Sequence, residues 1–200
     1  MATNTQLDFI GYLLNQEEPQ TIRGIARALG KSYPLVYNAV QELLKQKIII
    51  KKSAPPATII AFNAYAPPDL LLEAEKKRSA AFLKKFREFQ VLLEDLLRSS
   101  KSTYFSVLIF GSYAKSAQTP KSDLDLLIIV PMKTDIQKME DALRYIPTKT
   151  KKHFIIVEEE DFINMLSKAN QFNVGNEARK HHLILYGAEQ YYELVRRSSQ

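Results

Sequence analysis

Phe110-Gly111-Ser112-Tyr113-Ala114-Lys115, followed after a short loop by Ser122-Asp123-Leu124-Asp125-Leu126-Leu127-Ile128-Ile129-Val130, decides how the larger part of this chain folds. An apolar run from Val107 to Phe110 ends in Gly-Ser, a polar loop follows, and a second apolar run opens with two carboxylates separated by one leucine. Residues i and i+2 of a strand share a face. Asp123 and Asp125 are therefore expected to project together, with Leu124 turned away, as paired oxygen ligands suited to a hard divalent cation. Gly111 lets the backbone come close to a phosphate, and the amides of the following turn, with the Ser112 hydroxyl, can hold its oxygens. The order strand, Gly-Ser, short helix, Asp-x-Asp strand points to metal-dependent phosphoryl transfer, in which two metals about 4 Å apart stabilise the attacking and leaving oxygens. Each half alone has a plainer reading, Gly-Ser as a turn and Asp-x-Asp as a solvated strand start.

Residues 107–130 resemble the signature of the DNA polymerase beta nucleotidyltransferase superfamily, especially its minimal nucleotidyltransferase members, and the likeness extends loosely over residues 103–195. The resemblance implies that Gly111 and Ser112 bind a nucleoside triphosphate, with Lys115 near its phosphates. It also implies that Asp123 and Asp125 hold magnesium, manganese being the alternative, while a nucleotidyl group passes to a hydroxyl acceptor. The superfamily draws a third carboxylate from a later strand. Here that strand reads Lys152-His153-Phe154-Ile155-Ile156-Val157, and by spacing back from Phe162 the position falls at His153. A neutral imidazole suits zinc better than magnesium and brings no negative charge. The plainer reading of His153 is a strand-edge histidine.

Two hundred residues allow one large domain or two small ones. The absence of cysteine excludes disulfides and thiolate metal sites. No apolar run approaches the roughly 18 residues that span a bilayer, and the N-terminus lacks a charged-then-apolar signal pattern. A cytoplasmic protein with no membrane partner is the expectation. A formal net charge of +6 and a sequence pI near 9.3 favour a polyanionic partner, without singling out nucleic acid.

The pattern breaks at Ala64 to Pro68, where Asp69 is expected to cap a new helix. Before the break, Leu7, Ile10 and Leu14 share a helical face, and Ile22, Ile25, Ala26 and Leu29 mark a second helix after Thr21 that Gly30 ends. Ser32 is placed to cap a third helix, with Pro34 in its first turn and Leu35, Val36, Ala39, Val40, Leu43 and Leu44 as its buried stripe. Ile48 to Lys52 and Thr58 to Phe62 read as strands joined tightly through Ser53 to Pro56. Three helices and a hairpin make a winged helix-turn-helix pattern, and Thr21 to Ser32 resembles the helix-turn-helix of small prokaryotic transcription regulators. Arg23, Arg27, Lys31, Lys51 and Lys52 are candidate phosphate contacts on double-stranded DNA, and Ser32, Tyr33, Tyr37 and Asn38 are candidates for base edges. The plainer reading is a protein-interaction module with solvated basic residues.

Leu70 to Leu97 is amphipathic, one long helix or two shorter ones, with Phe82, Phe86, Phe89, Leu93 and Leu96 as a core stripe. Ile136, Met139, Leu143 and Ile146 suggest a helix crossing between the Asp-x-Asp strand and the His153 strand. The pair His181-His182 reads as a helix end rather than a metal site, since adjacent strand residues face opposite ways.

The expectation is an α/β (α+β) chain with a winged helix-turn-helix DNA-binding domain over residues 1–66. Residues 67–200 are expected to form a nucleotidyltransferase-like mixed sheet flanked by helices. Its expected function is magnesium-dependent nucleotidyl transfer by a protein that also binds DNA, with a homodimer or a protein partner possible. The alternatives are a DNA-binding transcription regulator whose catalytically degenerate second domain senses nucleotide or dimerises, and an antitoxin-like partner protein.

Overall fold

The computed structural model describes residues 2–16, 18–54, 57–63, 66–100, 104–168 and 171–198. The chain forms two compact units, Met1–Lys77 and Arg78–Gln200. Pro55 and Pro56 of the expected hairpin turn, and Ala64 and Tyr65 of the expected domain break, lie outside the described residues.

In the first unit, α1 (Asn4–Leu13) starts on a reciprocal cap: the Gln6 amide donates to Thr3 Oγ1 at 3.2 Å and the Thr3 amide to Gln6 Oε1 at 2.7 Å. The next strand, β1 (Gln20–Thr21), is only two residues long, and Thr21 then caps α2 (Ile22–Ala28) by accepting from the Gly24 amide at 3.1 Å. Gly30, with φ of 61°, takes the left-handed turn into α3 (Tyr33–Lys45). Ser32 stands at the N-cap of α3 but its side chain makes no capping bond. Strands β2 (Ile49–Ala54) and β3 (Ala57–Phe62) pair antiparallel, and β1 joins the far edge of β3, giving the order β1-β3-β2. Phe9, Ile10, Ile25, Val36, Val40, Leu43, Ile49 and Ile60 fill the core, each worth about 1.5–3 kcal/mol of apolar transfer.

Two local expectations are corrected. Leu35 is 47% exposed: Val36, Val40 and Leu43 form the inward stripe, and Leu35 falls outside it on a 3.6-residue repeat. Asp69 does not precede the next helix, because α4 (Pro68–Lys85) begins at Pro68 and holds Asp69 in its first turn.

The amphipathic region resolves into two helices, α4 and α5 (Arg87–Ser99), broken at Phe86, whose backbone leaves the helical region at φ −117° and ψ 75°. The second unit is built on a sheet of β4 (Ser106–Phe110), β5 (Leu124–Val130), β6 (Lys152–Glu158) and β7 (Leu183–Tyr186) in the order β6-β5-β4-β7. β4 is antiparallel to β5 and β7, while β5 and β6 are parallel. A parallel neighbour needs a crossover, supplied by α7 (Thr134–Tyr145). Four-residue α6 (Gly111–Ala114) follows β4 directly. The remaining helices are α8 (Glu159–Ser167), α9 (Val174–Lys180) and α10 (Ala188–Arg197).

Strand alternation divides the apolar side chains between two faces. Val107, Ile109, Leu124, Leu126, Ile128 and Val130 pack with Phe89, Leu92 and Leu96 of α5 and Met139 and Leu143 of α7. Leu108, Leu127, Ile129 and Val157 pack on the other face with Phe162 and Leu166 of α8 and Tyr191 and Leu194 of α10. His181 closes α9, and the buried His182 ring donates from Nδ1 to the Ala178 carbonyl at 2.9 Å, matching the helix-end reading.

Candidate functional site

β4 delivers the chain to Gly111, where φ turns to 67°. A Cβ at this position would collide with Asp125 Oδ2, so glycine is required both by the backbone and by the carboxylate lying against it. Tyr113 fixes the short helix that follows: its ring stands edge-on to Phe82, Phe86 and Phe89 with centroids 5.2–6.4 Å away. Ser112 is half-buried and Lys115 exposed at the end of that helix. The loop beyond is closed locally, with the Thr119 amide donating to Ser122 Oγ at 2.9 Å and the Ser122 amide to the Thr119 carbonyl at 3.0 Å.

Asp123 lies immediately before β5 and Asp125 within it. Asp125 has the same parity as Leu127 and Ile129, and therefore opens onto the face covered by α8 and α10. Register aligns Phe110 of β4, Asp125 of β5 and His153 of β6 in one row. His153 thus stands on the third strand directly beside Asp125. Its Nδ1 lies 3.5 Å from Asp125 Oδ1.

One residue of the site escapes sequence reasoning. Lys151 lies two residues before His153, as Asp123 lies two before Asp125, and the parallel register sets Lys151 Nζ 2.9 Å from Asp123 Oδ2. The Leu124 amide donates to the Lys151 carbonyl at 2.8 Å, pinning the two backbones together there. Only the strand register brings this lysine to the site. Lys152, next to it, points away; its ammonium donates to the Ile146 carbonyl, and burial pushes its pKa down.

Glu88 of α5 holds the segment leading into β6. It accepts from the Lys149 amide at 3.1 Å, the Thr150 amide at 3.2 Å and Thr150 Oγ1 at 2.6 Å. Burial pushes the Glu88 carboxyl up, but the Thr150 and Lys149 hydrogen bonds outweigh it and hold the pKa below the usual glutamate range.

In the first unit, Arg23 and Arg27 are exposed on α2, and Ser32 and Asn38 are exposed at the start and outer face of α3. Tyr33 and Tyr37, one helical turn apart, stack at 5.9 Å while remaining 44% and 41% exposed. Lys31 is engaged by Asp8, at 3.3 Å, which also binds Lys77 at 2.7 Å. Burial raises the Asp8 pKa, but these two lysines outweigh it and hold it below the usual range. Lys51 and Lys52 are both exposed, but consecutive strand residues face opposite ways; Lys51 shares its side with Ile49, Lys52 with the exposed Ile50.

Among the described residues, no group of three or more His, Asp or Glu side chains gathers as a ready metal site, and no helix is long and apolar enough to cross a membrane. The donors present on β5 are hard carboxylate oxygens, which fit a divalent cation of the magnesium type completed by phosphate oxygens and water.

Residues 89–181 match the family model described as a nucleotidyltransferase domain. A comparison with curated proteins gives no match. Among solved structures, the chain is similar to MepR, a transcription regulator of the Staphylococcus aureus multidrug efflux pump MepA, at 21% identity over 48% of this chain and 78% of that one, with a TM-score of 0.33. It is also similar to a toxin-antitoxin crystallised with AMP-PNP, at 18% identity over 54% of this chain and 82% of that one, with a TM-score of 0.33. Residues 89–181 are thus similar to a nucleotidyltransferase domain, and the first unit has the three helices and antiparallel hairpin of a winged-helix fold.

Proposed function

We propose that the chain transfers a nucleotidyl group from a nucleoside triphosphate to a hydroxyl acceptor, and that its winged-helix unit binds double-stranded DNA. The observation that carries the first part is the close approach of the Asp125 carboxylate to Gly111, with Asp123 two residues away on the adjoining strand end. In this reading the Gly111 backbone and the Ser112 hydroxyl bind triphosphate oxygens and Lys115 balances their charge. Asp123 and Asp125 hold a divalent cation, magnesium or manganese. When bound, that cation neutralises charge developing on the phosphate oxygens. The acceptor oxygen bonds to the α-phosphorus as the bond from that phosphorus to the bridging oxygen breaks. Pyrophosphate leaves, and the hydroxyl proton passes to solvent.

On DNA, Arg23, Arg27, Lys51 and Lys52 contact phosphates, with Lys31 contributing less because Asp8 already engages it. Ser32, Tyr33, Tyr37 and Asn38 approach base edges. Titration calorimetry with ATP, GTP, CTP and UTP tests the nucleotide site. Asp123→Asn combined with Asp125→Asn should abolish metal-dependent binding at unchanged circular dichroism, and retained binding would refute the assignment.

His153 and Lys151 favour a second reading, because both nitrogen side chains sit beside the carboxylates. In it, the domain binds nucleotide without transferring it and modulates DNA binding. Gel shifts with and without ATP and magnesium separate the two: nucleotide-dependent DNA affinity without labelled product supports the sensor.

A further inference from the structure

Four carboxylate oxygens are available at the site, and three already have close neighbours. Asp123 Oδ2 is 2.9 Å from Lys151 Nζ, Asp125 Oδ1 is 3.5 Å from His153 Nδ1, and Asp125 Oδ2 lies against Gly111. Two divalent cations about 4 Å apart need carboxylates that bridge them and a further oxygen ligand on the outer one. The strand adjoining Asp125 presents an ammonium and an imidazole at the two positions facing these aspartates. An ammonium has three donors and no acceptor, and so it repels a cation instead of ligating it.

Resting on the nucleotidyltransferase reading above, we infer that this site takes one divalent cation with its nucleotide, and that Lys151 supplies the positive charge a second cation would bring. The exposure of Lys151 makes this exchange feasible. Its side chain is 80% exposed, and such surface pairs are worth only about 0.2–1 kcal/mol. A divalent cation therefore displaces Lys151 from Asp123 at small cost and takes both aspartates. The freed ammonium, on a flexible stem, reaches the triphosphate oxygens as a point charge. His153 leaves the outer position without a carboxylate, so no second hard cation is held there.

Manganese provides a readout that does not depend on turnover. The full chain is titrated with manganese in the presence of the α,β-methylene analogues of ATP, GTP, CTP and UTP in turn, whose α–β bridge cannot be cleaved, with bound metal counted by calorimetry and its spectrum recorded by electron paramagnetic resonance. One manganese per chain with an uncoupled spectrum is expected. Two per chain with a spin-coupled spectrum would overturn the inference and leave the nucleotide site standing. No binding of any of the four analogues with manganese would overturn the nucleotidyltransferase reading and the inference with it. Lys151→Ala should keep one manganese and weaken analogue binding by about tenfold, as expected for losing a charge-assisted contact. The double variant Lys151→Ala, His153→Asp should gain a second, spin-coupled manganese; a folded double variant that still binds one would remove these two residues as the cause.

Discussion

A methyl group at Gly111 would meet the Asp125 carboxylate, and the left-handed backbone there adds about 1–2 kcal/mol of strain for any L side chain. Gly111→Ala is therefore expected to weaken nucleotide binding by at least about tenfold, measured by calorimetry, by moving Asp125 off its present position. Gly187 poses a contrasting case. Its φ is 71°, and a Cβ there would strike the Phe105 backbone, away from the aspartates. Gly187→Ala should lower stability in urea unfolding, while the folded fraction binds nucleotide as before. Unchanged binding in Gly111→Ala would mean that the carboxylate does not need this close seat.

Tyr113 and Glu88 act by holding whole elements in place. Removing the Tyr113 ring from its cluster with Phe82, Phe86 and Phe89 is expected to cost about 3–5 kcal/mol, as for other buried aromatic truncations. It should also loosen α6, so that Tyr113→Ala loses both stability and nucleotide affinity. The depressed pKa of Glu88 means that its contribution is present above the usual glutamate pKa and is lost as pH falls through the lowered folded value. Stability of the wild type should accordingly fall on acidification more steeply than that of Glu88→Gln, as read from urea midpoints across the acid range. The Gly-Ser turn after β4 and the Asp-x-Asp start of β5 are legible in the sequence because each depends on local spacing along one strand. Lys151 is not, since only the parallel register of β5 and β6 sets it beside Asp123. Two-residue β1 carries no periodicity to detect, and the exposure of Leu35 depends on how α3 turns its face to the core rather than on its hydrophobicity.

The whole chain carries a formal net charge of +6, and on the proposed function part of that excess serves DNA binding. Arg23→Ala with Arg27→Ala should weaken binding to all duplex sequences alike and reduce the slope of log affinity against log salt by about 2. Tyr37→Ala and Asn38→Ala should instead erode discrimination between sequences, read from competition gel shifts. Lys31→Ala should matter less than either arginine, because Asp8 already engages that ammonium. The central claim, transfer at the Gly111–Asp125 site, is tested most directly by the fate of the α-phosphate. Each nucleoside triphosphate, labelled either at the α- or the γ-phosphorus, is incubated with the protein, magnesium or manganese, and candidate acceptors of protein and nucleic acid. The account predicts that α-label, and not γ-label, appears on an acceptor and that Asp123→Asn with Asp125→Asn abolishes it. Nucleotide binding with no α-label transferred to any acceptor, or transfer that survives the double variant, would contradict it.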